Sequence, residues 1–95
     1  MNKIFQGMDM RMSIVCREVD KSTGHIATYL CKNEINEHDL FIAQMRSRAN
    51  PEITYYSIPT SVAEDSEELN NLLYFLKCSN LNETAIRRYG GIVKL

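Results

Sequence analysis

The stretch Met10-Arg11-Met12-Ser13-Ile14-Val15-Cys16-Arg17 sets Met10, Met12, Ile14 and Cys16 on one side of an extended chain and Arg11, Ser13 and Arg17 on the other. Side chains alternate between faces along a strand, so this pattern reads as a half-buried strand, with Val15 as its exception. Asp20-Lys21-Ser22-Thr23-Gly24 follows with turn chemistry, Gly24 being free to take a positive φ. The segment from His25 to Cys31 is rich in β-formers and is expected to return antiparallel, closing a hairpin.

Beyond the hairpin the period changes from two to that of a helix. Asn36 followed by Asp39 approximates a capping box, and Ile35 with Leu40 fits a hydrophobic staple. Glu37 and Asp39 stand at the positive end of the helix dipole, with Arg46 and Arg48 at the negative end. Phe41, Ile42, Met45 and Ala49 are expected to form the inward stripe, and Pro51 stops the helix. Residues 53–58 (Ile-Thr-Tyr-Tyr-Ser-Ile) read as a short strand ended by Pro59, at a strand end or sheet edge. A second helix from Asp65 to Cys78 carries Leu69, Leu72, Leu73 and Leu76 at helical spacing. A third, short helix holds Ala85, Ile86 and Tyr89, with Asn80 and Glu83 at its start. Gly90-Gly91 ends it, and residues 92–95 add a terminal strand. The order β-β-α-β-α-α(-β) implies an α+β fold, a mainly antiparallel sheet with its helices packed on one face.

At 95 residues, one domain spanning 1–95 is expected, with residues 1–7 left open to disorder. A hydrophobic share of 44% and a charged share of 24% suit a globular chain and argue against disorder as a whole. The net charge of −1 excludes a strongly basic nucleic-acid coat and, equally, a mimic of DNA acting through sheer negative charge. Cys16, Cys31 and Cys78 are odd in number and lack CxxC spacing, so reduced thiols in a cytoplasm are the simpler reading. Residues 1–7 lack the apolar run of a signal peptide, and Leu72–Leu76 is too short to span a bilayer.

No linear motif for chemistry emerges. Cys16, His25, Cys31 and His38 have irregular gaps, and zinc requires about four ligands in a closed tetrahedron. Two buried strand thiols and two surface imidazoles are the simpler account. Cys78 ends a helix, where the dipole opposes a thiolate. Four glycines, Gly7, Gly24, Gly90 and Gly91, cannot build a phosphate loop. No catalytic, cofactor-binding or metal-ligating residue is therefore assigned.

Two binding surfaces are. Glu64, Asp65, Glu67 and Glu68 form an acidic shoulder, and Tyr55-Tyr56 puts one ring on each sheet face. One ring is expected to pack under a helix; the other either pairs structurally with Tyr29 across the sheet or, facing solvent, is a candidate anchor beside that shoulder. With enzymatic signatures absent, the expected role is a small non-catalytic regulatory, inhibitory or immunity-type protein that binds a protein partner stoichiometrically. The alternative is a small DNA-binding regulator, since residues 65–95 resemble the outline of a helix-turn-helix followed by a β-wing. There Asn82 and Thr84 would read bases, while Arg87, Arg88 and Lys94 would hold phosphate. An enzyme without a linear motif is the third reading, and a homodimer is left open.

Overall fold

The computed structural model describes residues 10–78, 83–89 and 91–95. Strand β1 (Met12–Val19) turns into β2 (Ile26–Ile35), and helix α1 (Glu37–Ala49) leads to β3 (Ile53–Pro59). Helices α2 (Thr60–Glu64), α3 (Ser66–Lys77) and α4 (Glu83–Tyr89) follow, and β4 (Val93–Lys94) closes the order. The sheet runs β2-β1-β3-β4, with every pair antiparallel. The α+β class and the element order expected from sequence are observed, with one short helix, α2, added after β3. Among the described residues no helix is long and apolar enough to cross a membrane.

The hairpin forms as its chemistry requires. Asp20 accepts hydrogen bonds from the backbone and hydroxyl of Ser22 at 3.0 and 2.7 Å, holding its carboxyl below the usual range. Gly24 takes φ +76°, a conformation that L side chains rarely adopt.

The helices divide between the two faces of the sheet, which corrects the expectation of a single covered face. Val15, Tyr56 and Ile58 pack with Ala63, Leu72, Leu76 and Ile92 on one side. Ile14, Cys16 and Tyr55 pack with Ala43 of α1 on the other. The physical reason lies in β1, where Ser13, Ile14, Val15 and Cys16 are all buried. A strand buried on both faces reads as a continuous apolar run, and Val15 was the residue announcing it.

Helix α3 is fastened to the first face by more than its leucines. Arg17 donates from Nε to the Leu76 carbonyl at 2.8 Å, and Thr28 donates to the Leu73 carbonyl at 2.9 Å. The Leu76 carbonyl belongs to the last turn, which has no partner within the helix, so Arg17 supplies a missing donor. The short helix α2 was not anticipated. Its first residue, Thr60, is buried, with its hydroxyl 2.8 Å from that of Ser13, and Ser13 donates to Asn33 Oδ1 at 2.6 Å. After α4, Gly91 turns the chain at φ +72°, where a Cβ would lie 3.2 Å from the Pro59 ring. Strand β4 then pairs with Tyr56 and Ser57 of β3.

Candidate functional site

The acidic shoulder is largely accounted for by local structure. Asp65 is the N-cap of α3 and accepts from the backbone N–H groups of Glu67 and Glu68, both at 3.1 Å. Glu64 pairs with Arg11 at 3.0 Å, and Arg11 also bonds Glu34. Glu67 and Glu68 are exposed in the first turn, where the dipole favours acids without any partner. Tyr55 and Tyr56 do lie on opposite faces, as expected, but neither ring is an exposed anchor. Their exposures are 9% and 3%, because β3 is covered by α1 on one side and by the α2–α4 layer on the other. Burial raises the Tyr56 phenol above its usual pKa. Tyr29 sits on the face of Tyr55, but Cys16 of β1 stands between them, and the Tyr29 hydroxyl donates instead to Glu18 at 2.7 Å.

The C-terminal residues are placed in part. Thr84 is exposed in the first turn of α4, Arg87 and Arg88 belong to that helix, and Asn82 lies outside the described residues, as do residues 1–7. Phe75 and Tyr89 join α3 to α4, their ring centroids 4.8 Å apart. Lys94 is exposed, but its strand is the edge of the main sheet and not a free wing. Among the described residues, Cys16, His25, Cys31 and His38 do not gather at one point. Cys31, expected to be buried, is exposed.

The surface that sequence reasoning missed lies on α1 and β2. Phe41 and Met45, expected inside, are 56% and 52% exposed, Ala49 is exposed, and Ala43 is the residue that α1 buries. Leu40, Phe41, Ile42, Ala43 and Met45 place apolar side chains around much of the helix, so spacing alone admits more than one inward face. The face centred on Ala43 is turned to the sheet, over Ile14, Cys16 and Tyr55, with Leu40 and Ile42 half-buried beside it. Phe41 and Met45, one turn apart, are left as an outward ridge.

Beside that ridge runs a groove of about 250 Å³ between α1 and β2. Its floor is Ile14, Ala43 and Tyr55, and Ile42 closes one wall. Cys31, Lys32, His38 and Arg46 rim it. His38, Ile42 and Arg46 recur every four residues, so one side of α1 supplies three of these groups. On β2 the cause is a bulge. Ile14 is opposite Lys32 and Val15 opposite Leu30, so Cys31 is the extra residue, and both Cys31 and Lys32 line the groove.

The charges of the rim are unequally satisfied. Lys32 Nζ donates to Asp39 Oδ1 at 2.8 Å, and the Asn36 backbone donates to Asp39 Oδ2 at 3.1 Å. Those two bonds, the one from Lys32 foremost, hold the Asp39 carboxyl below the usual range. Asp39 also completes the capping box with Asn36, whose side chain accepts from the Asp39 backbone at 2.8 Å. Arg46 has no ion-pair or side-chain hydrogen-bond partner among the described residues.

A second, open cup of about 540 Å³ is lined by Glu18, Asp20, His25 and Glu52. Two of its acids are already engaged, Glu18 by Tyr29 and Asp20 by Ser22. No family model, curated protein or solved structure matches the chain.

Proposed function

We propose that this is a small non-catalytic regulatory, inhibitory or immunity-type protein that binds a protein partner stoichiometrically through the outer face of α1. The observation that carries the reading is the pair Phe41 and Met45, 56% and 52% exposed on successive turns of one helix. Fully burying either side chain would contribute about 1.5–3 kcal/mol, so leaving both in water forgoes stability that a partner can recover. Large apolar side chains at the centre of a polar surface are typical binding anchors. The acidic residues Glu67 and Glu68 then stand as a solvated helix start, away from the contact.

The test is paired variants of the full chain in cross-linking capture from the native cell. Phe41→Ser with Met45→Ser should keep the melting temperature and lose the partner. Glu67→Lys with Glu68→Lys should keep both. Capture that survives the first pair and fails in the second returns the contact to the acidic shoulder and ends the α1 reading.

A further inference from the structure

We infer that the groove between α1 and β2 seats an acidic segment of a protein partner, a carboxylate entering beside Arg46 while a neighbouring apolar side chain fills the floor. The inference rests on the reading above and specifies the chemistry of the partner at that face.

Size comes first. Pockets for drug-sized molecules and cofactors run from about 300 to 1,000 Å³. At about 250 Å³ this groove has room for one or two side chains and no more. Its floor is apolar, with Ile14, Ala43 and Tyr55 nearly withdrawn from water, so it favours an aliphatic or aromatic group.

Charge then selects the sign of the visitor. Among the described residues Asp39 is the one carboxylate lining the groove, and both its oxygens are engaged, by Lys32 and by the Asn36 backbone. Lys32 is thereby neutralised, and Arg46 is left as an unanswered cation on the α1 wall. An incoming ammonium or guanidinium group would meet Arg46 and Lys32 with no free acid to receive it. An incoming carboxylate finds a planar donor fork suited to two parallel hydrogen bonds.

The edge of β2 argues for side-chain seating over strand addition or pairing with a second copy. Two irregularities interrupt its ladder, and Glu34 adopts φ 44°, so the strand is a poor template for a further strand. The ridge of Phe41 and Met45 flanks the groove across α1, so one segment can cover both.

The experiment uses the isotope-labelled full chain and a capped octapeptide with Glu-Phe-Asp-Leu at its centre. Titration should move the backbone amide signals of Cys31, Lys32, Ile42 and Arg46. In a Cys78→Ser background it should also slow alkylation of Cys31, the remaining exposed thiol among the described residues. Arg46→Gln should weaken binding about tenfold, as expected for a charge-assisted hydrogen-bonded pair, and Arg46→Lys should restore part of it. Equal binding of the Gln-Phe-Asn-Leu peptide overturns the inference, because the carboxylates would then be irrelevant. So does phenylacetate binding as tightly as the peptide, which would make the groove a small-molecule site. A peptide that moves no groove signal, while Phe41→Ser with Met45→Ser still abolishes partner capture, removes the groove alone and leaves the ridge in place. Peptide binding that survives while the ridge variants capture normally removes the ridge alone.

Discussion

Helices α1 and α3 have nearly equal lengths, 13 and 12 residues, and lie on opposite faces of one sheet, yet they deploy their apolar residues in opposite ways. Helix α3 turns Leu69, Leu72, Leu73 and Leu76 inward and shows water polar groups together with one amphipathic ring, Tyr74. Helix α1 sets Ala43 on the sheet and shows Phe41 and Met45. One helix is held by its side chains. The other rests a single buried alanine on the sheet and has its first turn fixed by the Asn36–Asp39 capping box and the Lys32–Asp39 pair. A helix whose attachment does not depend on its largest apolar groups leaves those groups free for another task.

A cavity separates the two helices most strongly. Leu76→Ala, at 0% exposure, should cost about 2–5 kcal/mol in urea unfolding, as large-to-small changes in packed cores do. Phe41→Ala should fall within about 0.5 kcal/mol of the parent, the range of exposed positions. Equal losses would mean that α1 is a core element after all.

Caps come next in size. Asn36→Ala and Asp65→Ala should each cost about 0.5–2 kcal/mol. Their local effects should differ. Amide hydrogen exchange should rise along α1 in the first variant, since its largest apolar groups, Phe41 and Met45, are not anchored in the core, whereas α3 in the second stays anchored by its leucines. Uniform exchange across both helices would erase the distinction.

The smallest effect is an acid one. Asp39 has a lowered pKa in the folded state, so its contribution is fully present above the unfolded carboxylate value of about 3.9. That contribution is lost as pH falls through the folded value. The stability of the parent should therefore approach that of Asp39→Asn as pH falls toward about 2, the two differing most near neutrality. A gap that stays constant with pH would show that Asp39 does not act through its charge.

Local chemistry made much of the fold legible. The turn at Asp20–Gly24, the capping box at Asn36 and Asp39, and the leucine repeat of α3 each declare their element through neighbours in sequence. What was not legible depends on partners far along the chain. Val15 broke the alternation of β1, but the reason, a second layer on the other face, appears only when α1 and α3 are both in place. Helix α2 is five residues long and starts directly after the last residue of β3, too brief for periodicity to reveal. The direction of Phe41 and Met45 could not be read because apolar residues surround much of α1, and the sheet, not the helix, chooses the face. The groove was the least accessible feature. It exists because Cys31 is an extra residue opposite β1, and a bulge is a property of a pair of strands, invisible in either one.

Ala43 carries a consequence for how this protein can change over generations. Because Ala43 is the residue buried against the sheet and positions 41, 45, 46 and 48 all face water, substitutions at those four positions are nearly independent of folding. Such a helix can be rewritten on its outer side, one partner exchanged for another, while the domain beneath inherits no penalty. Descendants of this chain would then be expected to agree under α3 and diverge across α1, an asymmetry of tolerated mutation that a deep mutational scan would expose.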